Sequence, residues 1–217
     1  MRPAYLRKGS THRETMTSYY GLQSHFYDST RWAFLYGRKR IVKELNIQAG
    51  ERVVEVGAGT GANFVAIQEK LKNSGELIGV DCSAPMLRKA KERVQRNEWT
   101  NVRLLDMEYG HDSVTAGQAD VVLFSYSLSM IADWEKALTC ARSELRPGGR
   151  IGVLDFCKSS DSTKWFGNWL AMNHVHTDRP CELQLQRLFD VQTHMRYNAW
   201  TAVWSFYLFV GIRRAAV

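Results

Sequence analysis

The segment Val53-Val54-Glu55-Val56-Gly57-Ala58-Gly59-Thr60-Gly61 constrains the fold more than any other stretch of this chain. A β-branched apolar run gives way there to alternating glycines, which reads as a buried strand ending in a tight loop. Glycine lets the backbone turn sharply and lets a ligand approach the main chain where a side chain would collide with it. A helical stretch follows at about Ala62 to Asn73. Strand, glycine loop and helix in that order open a βαβ unit, with the loop at the sheet end where ligands bind.

The alternation continues down the chain. Short apolar runs at Arg52 to Val56, Leu77 to Val80, Val102 to Leu105, Asp120 to Ser125 and Arg150 to Phe156 suit buried parallel strands. Helical stretches at Pro85 to Asn97 and Trp134 to Leu145 lie between them. After Phe156 a polar link, Lys158 to Thr163, leads to helical segments near Trp165 to Asn173 and Glu182 to Phe189, then to strands at Val191 to Tyr197 and Val203 to Gly211. With 45% hydrophobic and 24% charged residues, 217 residues suffice for one core without staples. The expected organisation is a basic arm at 1–18 followed by one domain at 19–217. Within that domain, 19–46 form cap helices and 158–190 a substrate-side insertion. The stripe Phe34, Ile41 and Leu45 docks the end of the cap on the sheet.

Two cofactor classes use such a glycine loop. Gly57, Gly59 and Ala62 satisfy the dinucleotide fingerprint G-x-G-x-x-A, and Asp81 lies at a plausible ribose-binding distance. Three neighbouring features favour a sulfonium cofactor instead. Glu55 stands two residues before the first glycine, where a carboxylate suits a cation and meets no phosphate. Asp81-Cys82-Ser83 ends the second strand with an acceptor for both ribose hydroxyls, and Met86 and Leu87 supply apolar cover. Asp106-Met107-Glu108 ends the third, where the aspartate can accept from an adenine amino group and Met107 can pack on the ring. Any one of these acids alone reads as a helix cap or a surface carboxylate; three at successive strand ends converge on one ligand.

Together with Val121 to Tyr126 and the turn Leu145-Arg146-Pro147-Gly148-Gly149, residues 50–157 resemble the class I S-adenosylmethionine-dependent methyltransferases. The resemblance implies an α/β, Rossmann-like fold: a mainly parallel seven-stranded sheet with an antiparallel last strand and helices on both faces. It implies S-adenosyl-L-methionine as cofactor, held by Glu55, Gly57, Ala58, Gly59, Asp81, Cys82, Met86, Asp106, Met107 and Ser125.

The acceptor is constrained mainly by what is missing. The fourth strand ends in Phe-Ser-Tyr-Ser, without the Asn/Asp-Pro-Pro-aromatic turn that grips exocyclic base amines, so a nucleic-acid acceptor is not expected. The aromatic and arginine-rich stretch from Tyr19 to Arg38 and the closing Trp204 to Val210 resemble the bacterial betaine-lipid and phosphatidylethanolamine N-methyltransferases. That resemblance implies a lipid headgroup amine as acceptor; a soluble small-molecule amine or natural product is the alternative within enzymes. A non-catalytic binding module would show lost glycines or acids, and none is lost here.

Methyl transfer to nitrogen is an in-line displacement in which alignment outweighs acid-base power. Tyr27, Tyr126 and His174 are the candidates for holding the nitrogen or accepting its proton. Tyr27 and Arg31, four residues apart, fall on one helical face and form a lid over the cofactor, with Arg31 facing a carboxylate or pairing with Asp28. Trp32, Trp165 and Trp169 are available either to face a quaternary ammonium or to pack in the core. His174, His176 and Asp178 read as solvated loop residues, and Cys82, Cys140, Cys157 and Cys181 show no metal-ligand spacing, so no metal is expected.

Charge is uneven. Residues 1–46 carry nine Lys/Arg against three acids, and the remainder twenty against nineteen. A basic N-terminal surface suits a solvated tail or peripheral contact with an anionic membrane. The longest apolar run, Trp204 to Ile212, is far shorter than the roughly 20 residues of a membrane helix, and no signal-peptide core is visible. A cytoplasmic, peripherally membrane-associated protein is the expectation, with oligomeric state left open.

Overall fold

A computed structural model describes residues 36–158, 175–199 and 204–214. Helix α1 (Arg38–Glu44) precedes β1 (Arg52–Val56), α2 (Phe64–Leu71), β2 (Glu76–Asp81), α3 (Ala84–Arg96), β3 (Val102–Asp106) and β4 (Ala119–Ser125). A 3-10 turn (Leu128–Met130) leads to α4 (Trp134–Glu144) and β5 (Leu145–Cys157), and α5 (Cys181–Leu188), β6 (Asp190–Ala199) and β7 (Trp204–Ile212) close the chain.

The seven strands form one sheet in the order β3-β2-β1-β4-β5-β7-β6. β1 to β5 pair in parallel, and β7 runs antiparallel to both of its neighbours, β5 and β6. The fold is therefore the expected one. Strands buried on both faces need near-continuous apolar sequence, and Val53, Val54, Leu77, Ile78, Val121 and Val122 are all fully buried. One face packs on Ile41, Leu45, Phe64, Ile67 and Leu71 of α1 and α2, the other on Ala137, Leu138, Ala141 and Leu185 of α4 and α5.

Boundaries depart from expectation at one place of consequence. β5 begins at Leu145, so the Pro-Gly-Gly stretch read as a turn belongs to the strand. Leu145 pairs with Ala119 before a register irregularity, and Gly148 and Gly149 exchange main-chain hydrogen bonds with Arg213 beyond β7. A bulge absorbs the irregular residues without ending the ladder. The helical segment expected at Trp165 to Asn173 and Phe34 of the docking stripe lie outside the described residues.

The strand order reverses between β1 and β4, since β2 and β3 lie on one side of β1 and the later strands on the other. In open α/β sheets such a switch opens a crevice at the carboxyl ends of the strands.

Candidate active site

That crevice is a cavity of about 240 Å³. Gly57 and Gly59 line it from the glycine loop, Asp81 and Cys82 from the end of β2, and Met86 from the first turn of α3. Met107, Tyr109 and His111 contribute from beyond β3, and Tyr126, Ser127 and the stretch from Met130 to Asp133 from beyond β4.

The loop is fixed by hydrogen bonds to the neighbouring strand. The amides of Gly57 and Ala58 both donate to the Val80 carbonyl, at 2.8 and 3.0 Å. The Gly59 amide donates to Asp81 Oδ2 and the Ser83 amide to Asp81 Oδ1, each at 2.8 Å. One carboxylate thus holds the loop and the start of α3 together, and with about four lone-pair sites it keeps accepting capacity for a ligand in the cavity. Burial pushes the Asp81 carboxyl above its usual range, the Ser83 and Gly59 amides oppose that, and Asp106, its register partner on β3, adds to it.

Behind the loop, Glu55 is 1% exposed. Its Oε1 accepts from Asn63 Nδ2 at 2.6 Å, whereas Oε2 is buried with no hydrogen-bond partner among the described residues. Burial pushes its carboxyl up to about 7; Asn63 and Arg38 pull it down, and Asp81 pushes it further up. A carboxyl held near neutrality beneath a cavity is ready to ionise when a cation arrives. The donor set suits the sulfonium and ammonium of S-adenosylmethionine better than a diphosphate.

A pH dependence follows. With Glu55 at about 7 in the folded chain and near 4.5 when unfolded, the ligand-free protein holds a proton that the unfolded chain lacks. Its contribution is fully present below the unfolded value and is lost as pH rises through about 7. A cationic ligand favours the ionised form, so S-adenosylmethionine affinity should rise with pH, by at most about tenfold per unit, and level off near neutrality. Calorimetric titrations from pH 5.5 to 8 check this, with Glu55→Gln expected to flatten the slope. An unchanged slope in Glu55→Gln would remove Glu55 from the account.

Tyr126 sits at the tip of β4 with φ +57°, a left-handed conformation rare for a bulky residue. Its hydroxyl donates to the Tyr36 carbonyl at 2.6 Å, and its ring lies 4.7 Å from that of Phe156. Burial, with Asp155 nearby, holds the phenol well above 10. This environment disfavours the phenolate a proton acceptor needs and makes Tyr126 a wall that ties the residues before α1 to the tip of β4.

A family model described as a methyltransferase domain matches residues 30–192. The chain belongs to that family. Among curated relatives of this methyltransferase domain, the arsenite methyltransferase of Halobacterium salinarum is 29% identical over 111 residues, 51% of this chain and 28% of that protein. The demethylmenaquinone methyltransferase of Shouchella clausii is 30% identical over 145 residues, 65% of this chain and 57% of that one. The chain thus spans well under two thirds of either relative's length. Among solved structures, the phosphoethanolamine N-methyltransferase 2 of Haemonchus contortus with S-adenosyl-L-methionine superposes with a TM-score of 0.76 at 13% identity, covering 95% of this chain and 60% of that one. Its fold is shared.

Of the residues singled out in the sequence, Gly57, Gly59, Asp81, Cys82, Met86, Met107 and Tyr126 line the cavity of this methyltransferase domain. Glu55, Ala58, Asp106 and Ser125 do not. Ala58 packs into the core, Glu55 and Ser125 are buried behind the wall, and Asp106 is exposed beside it. For Glu55, Asp106 and Ser125, alternation along a strand explains the difference, because neighbouring side chains point to opposite faces. Tyr27, Arg31 and His174, with Trp32, Trp165 and Trp169, lie outside the described residues. Among the described residues, no three of His, Cys, Asp and Glu gather as a metal site would require.

Sequence reasoning missed Ser127, Tyr109, His111 and the stretch from Met130 to Asp133. Arg38, whose charge acts on both Glu55 and Tyr126, was missed as well. Ser127 carried a readable signal: it lies two residues past the end of the fourth strand, at the switch point, and its hydroxyl donates to the Val56 carbonyl at 2.6 Å.

Proposed function

We propose that this chain transfers the methyl group of S-adenosyl-L-methionine to an amine, with the headgroup nitrogen of a lipid as acceptor. The observation that carries the reading is Asp81, a half-buried carboxylate facing the strand-end cavity and oriented by the Gly59 and Ser83 amides. In that position it accepts from ribose hydroxyls. Glu55 answers the positive charge, and Met86 and Met107 supply apolar, polarisable surface for the adenine ring.

The cofactor supplies an electrophilic methyl for in-line displacement. The remaining work falls to the chain: aligning a neutral amine lone pair and excluding water. Tyr126 and the Met130 to Asp133 stretch wall the cavity beyond β4, and an acceptor approaching along that wall meets the cofactor methyl. The phosphoethanolamine specificity of a solved neighbour supports an amine acceptor, and the basic balance of residues 1–46 supports attraction to anionic bilayers. No helix among the described residues is long and apolar enough to cross a membrane, so the proposed contact is peripheral.

Incubation with methyl-labelled cofactor and a panel of acceptors, read by mass spectrometry, tests the proposal. The panel holds phosphatidylethanolamine and diacylglyceryl-homoserine vesicles, soluble amines, a demethylated quinone and arsenite. Label is expected in the lipid amines, with turnover falling as salt rises. Label confined to the quinone or arsenite would replace the acceptor while keeping the donor.

A further inference from the structure

A second cavity, of about 200 Å³, opens at the carboxyl end of β5. The 3-10 turn separates it from the first: Met130 lines the cofactor cavity and Ser129 lines this one. That turn is firmly held. Asp155, 1% exposed on β5, accepts from the Ser129 amide at 2.8 Å and its hydroxyl at 2.7 Å, and the His176 amide donates to the Ser129 carbonyl at 3.1 Å.

The charge of the lining does not balance. Lys158, Arg179 and Arg196 line the cavity with one carboxylate, Glu182, while the buried Asp155 acts on Cys157, Cys181 and Tyr207 from behind the wall, which still leaves cations in excess. Both Glu182 oxygens are already engaged, by the Arg196 guanidinium at 2.8 and 2.9 Å and by His194 Nε2 at 2.5 Å. Lys158 and Arg179 therefore meet no carboxylate among the described residues. Arg179 is also pre-positioned: its Nη1 donates to the Ile131 and Ser129 carbonyls, which sets the plane of a half-buried guanidinium and leaves its other donors for a ligand. Cys157 and Cys181, both buried, make the surrounding wall apolar, and burial pushes each thiol up to about 12, so neither adds negative charge. The first residues of α5, Cys181 to Leu183, also line the cavity, at the helix end whose dipole favours an anion.

We propose that this cavity receives an oxyanion, a phosphate or carboxylate carried by the methyl acceptor, with Arg179 as the principal contact and Lys158 at the mouth. The acceptor part rests on the methyl-transfer reading above; the oxyanion site itself does not. The turn is a wall shared by both cavities, Ser129 facing this one and Met130 the other, so an acceptor whose anionic group is held here lies at the border of the cofactor cavity. This deepens the proposed function by naming the group that an acceptor must carry besides its nitrogen.

The test titrates inorganic phosphate against chloride at constant ionic strength, read by thermal melting, with S-adenosylmethionine affinity measured alongside. Wild type is expected to show a saturable rise in melting temperature. Arg179→Gln should weaken phosphate about tenfold, the loss of one charge-assisted contact; because Arg179 also holds the Ile131 carbonyl in the cofactor-cavity wall, unchanged cofactor affinity is expected of Lys158→Gln. Lys158→Gln, at an exposed position with no structural partner among the described residues, should weaken it less and keeps the test valid if Arg179→Gln folds poorly. Displacement of phosphate by O-phosphoethanolamine alone assigns the anion to a soluble acceptor, and displacement by phosphatidylethanolamine vesicles assigns it to a lipid headgroup. Absence of a saturable shift in wild type, or equal shifts in wild type and both variants, would overturn the site. Displacement by neither amine would overturn its link to the acceptor. Cofactor binding that fails while phosphate binds would instead count against the methyl-donor reading.

Discussion

Replacing Asp81 with alanine should weaken S-adenosylmethionine binding by at least about tenfold, and by at least about a hundredfold if both ribose hydroxyls donate to it. Each charge-assisted hydrogen bond of this kind contributes about 1.5 to 3 kcal/mol, and about 1.4 kcal/mol is a factor of ten in affinity. Part of the loss is indirect. Alanine also strips the Gly59 and Ser83 amides of their acceptor, loosening the loop that Asp81 holds. Asp81→Asn separates the two contributions, since it keeps an acceptor oxygen and the side-chain volume while removing the charge. Calorimetry should place Asp81→Asn between wild type and alanine, and the melting temperature of Asp81→Ala should fall by a few degrees because two main-chain amides lose their acceptor. Unchanged cofactor affinity in Asp81→Ala would mean that the ligand sits elsewhere.

Gly57→Ala should destabilise the fold and abolish cofactor binding together. The residue has φ +69°, and a Cβ there would lie 2.4 Å from Ser127 Cβ. The backbone conformation alone costs an L-residue about 1 to 2 kcal/mol, and overpacking adds about 1 to 3 kcal/mol. For a domain of this size, each kcal/mol lowers the melting temperature by about 2 to 4 °C. The obstructing atom is the Cβ of Ser127, so Ser127→Ala should bring no relief, whereas Ser127→Gly in the Gly57→Ala background should recover part of the stability. Thermal melts of the four variants in a double-mutant cycle check this. Independent, additive effects would show that the two strand tips do not touch as described.

Asp81 and Gly57 were both legible in the sequence, and for one reason: each belongs to a short local motif whose chemistry is written in consecutive residues. The strands were legible too, because burial on both faces demands apolar runs such as Val53 to Val56 and Val121 to Phe124. Contacts from distant parts of the chain were not. Ser129 and Asp155, 26 positions apart, look like ordinary polar residues until the sheet brings them together. Arg179 reads as a loop cation, and only the fold places it against the Ile131 carbonyl. The start of β5 was misread because Pro-Gly-Gly is turn chemistry locally, while its pairing partners Ala119 and Arg213 are distant. The three strand-end acids read as converging on one ligand, but which of them face the cavity depends on strand alternation and on loop packing that no local pattern encodes.

The central claim is that the strand-end cavity holds a sulfonium nucleoside and not a dinucleotide, although the glycine loop fits either fingerprint. Calorimetric titration of the full chain with S-adenosylmethionine, and separately with NAD, tests it most directly. The account predicts one saturable S-adenosylmethionine site, displaced by S-adenosylhomocysteine, and no heat from NAD. Saturable NAD binding with no response to S-adenosylmethionine would contradict it.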